Sequence, residues 1–417
     1  MPRAEQRFAA EWRHLRGLPS YAFFVTAVLL VPVGGARADS ADTLNVQVSE
    51  TMLSDDNLFR LPTGADPSAQ IGNAQRSDRI TVDALAFSLN KPYSLQQFHV
   101  DASYVKYRYN TYHFLDFAAR NGAAYWNWAL TPRLTGKLSF DQQQSLNSFA
   151  DFTNINVRNV KTTTNRNADL DYWFHGGWHF TAGGFRNKTT NTVVYLQGGD
   201  LDNRGGQAGV RYLTADGDYI AYQGRYSSGL YPDTTAISLS LYTPAFRQVD
   251  REMLWRWTLS GHSQLQGRVT QFERKHSDFP VRDYQGTAGR VAYTWTPTGK
   301  TQLLVSGARD YGSYLASNAN YYVTDTLSVA PSWQVSAKTL VRLKFDHIKR
   351  DYLGDPGLGL AALNRADRQR SSQLSLDWAP TKALSFSVAL QRDLRRSTAA
   401  GLDYDDTTAS ISATFSF

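Results

Sequence analysis

The residues able to do chemistry are scattered. The eight histidines are His14, His99, His113, His175, His179, His262, His276 and His347. Only His175 and His179 have an i, i+4 spacing. That spacing places two ligands together on a helix, but Gly176-Gly177 between them reads as a turn. The pair therefore reads as polar interface residues. Asp55-Asp56 offers two carboxylates for Ca²⁺ or for acid–base work, yet an Asx-type turn at a strand end accounts for it. The chain has no cysteine, which removes disulfides, thiolate metal sites and thiol nucleophiles. It also lacks His-Glu-x-x-His, Gly-x-Ser-x-Gly and a phosphate loop. The sequence predicts no enzyme activity, no metal and no cofactor.

What remains is charge of both signs. The basic candidates are Lys137, Arg211, Arg225, Arg256, Arg268, Arg290, Arg342 and Lys344; the acidic ones are Asp101, Asp141, Asp169, Asp171 and Asp377. Fixed cations around an aqueous pore would concentrate anions and could guide an anionic polymer. Alternatively, the two sets pair across strands and merely keep a wall polar. Arg251, Glu252 and Arg256 could also pair locally. The choice depends on the elements that carry these side chains.

Residues 1–38 are expected to be removed. Arg13, His14 and Arg16 flank an apolar run from Tyr21 to Val33, and Ala36-Arg37-Ala38 is an A-x-A site. The run is short for a bilayer-spanning helix, which needs about 20 residues. The pattern predicts a secretory signal peptide cleaved before Asp39. Removal takes five arginines and two glutamates from 44 basic and 37 acidic residues, so +7 falls to +4. That balance gives no reason to expect nucleic acid.

The mature chain, 39–417, alternates with period two. Ile411, Ala413, Phe415 and Phe417 interleave with Ser410, Ser412, Thr414 and Ser416; Leu384, Phe386, Val388 and Leu390 do the same with Ser385, Ser387, Ala389 and Gln391. Such runs make strands with one greasy and one polar face. Eighteen are expected. They lie near 43–51, 78–89, 96–108, 122–130, 133–145, 166–174, 178–190, 204–213, 218–228, 248–259, 264–276, 285–295, 300–311, 321–333, 338–350, 370–379, 383–395 and 406–417. In 78–89, Leu85, Phe87 and Leu89 compete with Ile80, Val82 and Ala84 for the apolar face. Short turns such as Thr131-Pro132 and Ala215-Asp216-Gly217 alternate with long polar segments such as 52–77 and 146–165. All short turns then fall at one end and all long loops at the other.

This predicts an all-β fold: a transmembrane up-and-down antiparallel barrel of about eighteen strands in the Gram-negative outer membrane. A sheet in hydrocarbon must close, because unpaired edge groups are not tolerated there. A propeller or β-helix would show an internal repeat, and none is present. Trp128, Trp178, Trp257, Trp295, Trp333 and Trp378 cluster beside short turns, as expected of an interfacial aromatic girdle in contact with outer-membrane lipid. Phe415 and the terminal Phe417 fit an assembly signal read by barrel-assembly machinery. With apolar residues toward lipid, parity turns the basic and acidic candidates above toward the lumen.

One stretch carries a more specific signal: Ser54-Asp55-Asp56-Asn57-Leu58-Phe59-Arg60-Leu61-Pro62, following a first strand that opens Asp42-Thr43-Leu44-Asn45-Val46. It resembles the EpsL family, outer-membrane proteins of exopolysaccharide operons within a broader superfamily of β-barrel porins. Turns such as Trp128-Ala129-Leu130-Thr131-Pro132 and Trp378-Ala379-Pro380-Thr381 are similar in style. The resemblance implies a conduit for exopolysaccharide across the outer membrane, working with a periplasmic Wza-like export protein. The other expectations are a general solute porin, or a non-transporting structural or assembly partner of the export machinery.

Overall fold

The computed structural model describes residues 44–150, 157–193, 199–232, 245–277, 279–316, 319–354 and 364–417. The expected signal peptide, its cleavage before Asp39, and Asp42-Thr43 lie outside the described residues. The strands are β1 (Leu44–Asp55), β2 (Asp78–Tyr93), β3 (Gln96–Tyr109), β4 (Phe117–Thr131), β5 (Leu134–Leu146) and β6 (Val160–His175). Next come β7 (Trp178–Asn191), β8 (Leu201–Leu213), β9 (Tyr219–Leu230), β10 (Ala245–Ser260), β11 (Ser263–His276) and β12 (Tyr284–Thr298). The last six are β13 (Thr301–Ala316), β14 (Ala319–Ser336), β15 (Thr339–Leu353), β16 (Ala366–Trp378), β17 (Leu384–Ser397) and β18 (Tyr404–Ser416). One short helix, α1 (Pro67–Ile71), sits in the first long loop.

Each strand pairs antiparallel with the next, and β18 returns to β1 to close an eighteen-stranded barrel. Closure leaves no open edge in the hydrocarbon, which is what allows a sheet to span it. The seam runs from Gln47 opposite Ser416 to Asp55 opposite Thr408, and the Phe417 amide donates to the Val46 carbonyl at 2.8 Å. The left-handed residues of two short turns are Gly176 and Gly217, with φ of 54° and 88°. Glycine takes these angles without steric cost.

Several strands run further toward the long loops than the alternation predicts. The first, expected to end at 51, reaches Asp55; the sixth, expected from 166, begins at Val160; the sixteenth, expected from 370, begins at Ala366. The extensions of the sixth and sixteenth strands are mostly polar on both faces, as in Lys161-Thr162-Thr163-Thr164-Asn165, whereas that of the first still carries Met52 and Leu53. Once a strand leaves the hydrocarbon, nothing demands a greasy outer face, and the period-two signal disappears.

The faces follow parity. Ile411 is 54% exposed and its neighbour Ser412 is 8% exposed. The ambiguous second strand is apolar on both sides: Leu85 and Phe87 are exposed outward, whereas Ile80 is buried inward against the loops. Trp178, Trp257, Trp295, Trp333 and Trp378 are exposed beside the short turns, and Trp128 lies across Gly136, where a Cβ would collide with its ring. Above the apolar band the outer face turns basic. Arg120, Arg166, Arg186, Arg204, Arg251 and Arg370 each lie eight residues along their strand from Trp128, Phe174, Trp178, Tyr212, Leu259 and Trp378. On a strand tilted by about 40°, eight residues rise about 20 Å, close to the height of an outer-membrane apolar band.

The register makes a direct prediction. Ile411→Arg puts a cation into the apolar band at a cost of about 2–4 kcal/mol. Ser410→Arg, one residue away, enters the aqueous lumen. The first should reduce the heat-modifiable folded fraction on unheated gels and the second should not. Equal behaviour would show that the register is off by one.

Candidate functional site: the lumen and its inserted loops

The inner faces of β1–β5, β17 and β18 bound a cavity of about 2010 Å³. The polar side chains on its wall are mainly hydroxyls and amides, as in Gln47, Ser49 and Thr51 on β1, Ser103 on β3, Asn121 on β4, Gln143 on β5, and Ser410, Ser412 and Thr414 on β18, set among apolar ones such as Leu53, Val82 and Leu146. Asp101, Asp141 and Asp377 are the carboxylates away from the loops; Lys338 and Lys382 stand at the short-turn end. The cavity extends from those turns up to Leu58, Arg60 and Phe149.

Those last residues belong to loops folded into the barrel mouth. Leu58, Phe59, Leu61, Tyr112, Leu115 and Phe149 are buried against Ile80 and Tyr109 of the wall, with Leu53, Val82, Tyr107 and Leu146 packed alongside. The inward apolar residues of β2 are thus the receiving surface for the loops. Phe59 is the pivot, with the rings of Tyr112 and Phe149 each 4.7 Å away. Asp78 accepts the amides of Thr111 and Tyr112 at 2.9 and 3.0 Å, holding the second loop in place. From the far side of the lumen, Arg395 on β17 donates to the Ala150 carbonyl at 2.6 Å.

The 54–62 stretch is the latch of this assembly. Asp55 accepts the Asn57 amide at 2.9 Å, which is the expected Asx-type turn. Asn57 then bridges to Leu61 in both directions, accepting its amide and donating to its carbonyl, each at 2.9 Å. A second donation from Asn57 reaches the Asp405 carbonyl at 3.0 Å. Arg60 takes a positive φ of 55°, unusual for a non-glycine residue, and thereby aims its guanidinium at Asp55 and Asp406, each 2.9 Å away. Burial alone would lower the Arg60 guanidinium, but Asp55 and Asp406 hold it above its ordinary value. Asp55, Asp56 and Asp406 converge closely enough to suggest a cation site. The Arg60 guanidinium already supplies positive charge to two of them, and the third, Asp56, accepts the Thr407 amide at 2.7 Å.

The predicted charges are mostly matched, and most of them stand on β6–β16, with Asp101 on β3 and Lys137 and Asp141 on β5. Arg211 pairs with Asp171, which also meets His179 Nδ1 at 2.5 Å; Arg342 pairs with Asp377. Lys344 lies 2.7 Å from Asp346 and Arg290 3.9 Å from Asp310. Arg225 and Arg268 flank Glu252 at 3.8 and 4.0 Å. Arg256 donates to the Gly217 carbonyl at 3.1 Å, and Lys137 sits 4.5 Å from the Tyr125 ring centroid. Asp169 accepts from Gln207 at 3.1 Å, and Asp101 meets His99 at 2.6 Å. The arginines therefore stand opposite acids instead of forming an unbroken basic track. Arg251 and Glu252 do not pair locally: adjacent strand residues point to opposite faces, so Arg251 is exposed outside while Glu252 is 1% exposed within.

Sequence reasoning misses Asp406 and Arg274, and it names Glu252 and Arg60 without their partners: Glu252 reads as a local partner of Arg251 or Arg256, and Arg60 only as part of the 54–62 stretch. Arg274 is fully buried, 3.9 Å from the Phe246 ring centroid, and donates to Gln248 at 2.8 Å. Parity alone would have placed Glu252, Arg274 and Asp406 inward; their burial comes from side chains of neighbouring strands and, for Asp406, from Arg60 of the first loop, contacts that parity does not describe. His175 and His179 stay apart as functional groups, one at the turn end of β6 and the other on the Asp171 carboxylate.

No protein-family model matches this chain, and no curated protein does. Solved barrels are similar in outline. The outer-membrane protein OpdK of Pseudomonas aeruginosa is 12% identical, with 90% of this chain and 99% of that chain covered and a TM-score of 0.47. A BenF-like porin from Pseudomonas fluorescens is 12% identical over 90% and 98%, with a TM-score of 0.48. OpdF of Pseudomonas aeruginosa in complex with glucuronate is 10% identical over 90% and 98%, also at 0.48.

The latch yields a prediction. Arg60→Gln leaves Asp55 and Asp406 buried beside each other without their cation, and breaking a buried pair of this kind costs about 3–5 kcal/mol. The expected result is a loosened 57–65 segment in an intact barrel, seen as new protease cleavage near Leu58–Leu61 in outer-membrane vesicles. Adding Asp406→Asn should restore much of the protection. Unchanged protection in Arg60→Gln would show that the apolar contacts of Phe59 and Leu61 suffice.

Proposed function

We propose that this outer-membrane barrel is a porin that passes small, uncharged, hydroxyl-rich solutes. The observation that supports this is the cavity of about 2010 Å³ between the short-turn end and the inserted loops, whose polar lining is mostly hydroxyl and amide. Its size exceeds that of a single-ligand pocket, about 300–1,000 Å³. A wall of Ser, Thr, Asn and Gln offers donors and acceptors in turn to a solute shedding its water. Matched charges on the opposite wall leave little net field to favour one sign of ion. Such a site suits monosaccharides and short oligosaccharides.

A second reading, exopolysaccharide export with a periplasmic Wza-like partner, rests on the resemblance carried by residues 54–62. One observation favours keeping it: that stretch is the latch, so a family sharing it would share an inserted first loop. Polymer passage would require that loop to leave the lumen.

Proteoliposome swelling tests the first reading. Vesicles holding the purified barrel should swell in neutral mono- and disaccharides at rates that fall with solute size. Planar-bilayer reversal potentials should show weak ion selectivity. Replacing Arg256, Arg268 and Arg290 together with Gln should shift that selectivity only slightly. No swelling above empty vesicles would end the porin reading. No swelling, combined with loss of surface polysaccharide in cells lacking the protein, would favour export.

A further inference from the structure

On the outer face of β6, β7 and β8, Arg166 lies directly opposite Arg186, and Arg186 directly opposite Arg204. Side chains directly opposite in an antiparallel pair have Cβ atoms about 4.5–5.5 Å apart, and like charges there destabilise the sheet. All three arginines are exposed. Asp202 grips Arg186 through both carboxylate oxygens at 2.9 and 2.5 Å and also feels the charge of Arg204 and of nearby Lys188, so one acid faces several cations. Arg166 lies over the Phe140 ring at 5.9 Å, and Arg204 has no acidic partner within ion-pair reach among the described residues. A folded sheet that tolerates this row is expected to meet an anion from outside.

The position says which anion. The row stands eight residues above the turn-end aromatics, at the top of the lipid-facing band. The rung beneath it is Ala168, Gly184 and Gly206, each opposite the next, and below that lie Leu170, Ala182 and Ala208. Under Arg186 and Arg204 the wall is therefore a shallow bed of small residues facing hydrocarbon, bordered by Leu170. Guanidinium forks above an acyl-chain bed match a phosphate group joined to lipid tails, since Arg binds phosphate bidentately and its aliphatic stem tolerates the apolar margin.

We propose that Arg166, Arg186 and Arg204 form a binding site for a phosphorylated glycolipid of the outer leaflet. The arginines hold its headgroup phosphate, and the Ala168–Gly184–Gly206 bed receives its acyl chains. The site is on the outside of the wall and is independent of what passes through the lumen.

The test uses the purified full barrel in detergent, titrated with diphosphoryl lipid A, with a phosphate-free form of the same lipid, and with inorganic phosphate. Binding is read by native mass spectrometry and by the shift in thermal unfolding. Wild type should bind the diphosphoryl lipid. The triple variant Arg166→Gln, Arg186→Gln, Arg204→Gln should bind about a hundredfold more weakly, each cation near an anionic surface contributing about a factor of five. The corresponding triple Lys variant should retain part of the affinity, and it serves if the Gln variant does not fold. Gly206→Leu tests the bed alone. A Cβ there meets only the Gly183 carbonyl oxygen, at an ordinary 3.5 Å, so the barrel should fold while lipid binding falls. The proposal is overturned if the Gln variant binds like wild type, if the phosphate-free lipid binds equally well, or if inorganic phosphate competes as strongly as the lipid.

Discussion

Everything in this molecule depends on one constraint: a backbone amide or carbonyl placed in hydrocarbon must find its partner within the protein. Eighteen strands meet that constraint by closing, with β18 returning to β1 so that both chain-terminal strands become interior strands of the sheet. Closure fixes register, and register fixes which half of the side chains meets lipid and which meets the lumen. A one-residue slip would exchange Ile411, Leu390 and Leu376 for Ser412, Gln391 and Asp377, and none of the latter can face acyl chains. The strong specification of the fold comes from this mutual exclusion more than from any single contact.

An eighteen-stranded wall encloses more space than its own side chains can fill. Two different solutions divide the lumen. On the β6–β16 side, long charged residues bridge neighbouring strands, so that a buried acid such as Glu252 lies between two arginines and accepts hydrogen bonds from Gln223 and Thr270. On the β1–β5 side the wall residues are short, and the mouth is narrowed by loops that bring their own apolar core around Phe59. That core packs against Ile80 and Tyr109 in place of a membrane or a second sheet. The cavity is what is left where neither solution applies.

Strand number, orientation and face were legible in the sequence because hydrocarbon enforces alternation along the crossing segment. Legibility stopped where that force stops. Val160–Asn165 pairs as well as any other stretch, but it stands above the hydrocarbon and shows no period. The inward direction of Arg211 or Asp171 could be read by parity. Their contact could not, because the two residues sit on β8 and β6 with β7 between them, and only the barrel's curvature and their side-chain length bring them together. The latch was visible as an unusual string, Asp-Asp-Asn-Leu-Phe-Arg-Leu-Pro. Its mechanics depend on Asp406, which lies some 350 residues further along the chain and is adjacent only because the barrel closes. Long-range closure is invisible to local pattern, so the most consequential contacts of the site were the least readable.

The same parity explains why net charge was uninformative. The balance of +4 over residues 39–417 sums two surfaces that never mix. Inside, cations stand beside acids: Arg211 by Asp171, Arg342 by Asp377, Arg60 between Asp55 and Asp406. Outside, above the apolar band, cations also stand opposite cations, as in Arg166, Arg186 and Arg204, or Lys349, Arg368 and Arg396 on β15, β16 and β17, with acids such as Asp202 and Asp351 answering only some of them. Inner charges must neutralise one another because the lumen wall is crowded and partly dry, and an unmatched ion there carries a desolvation cost. The outer row borders headgroups and water and is free of that requirement. Charge that looks balanced along the chain is thus arranged differently on the two faces: matched across the lumen wall, and outside gathered into cation rows that acids answer only in part.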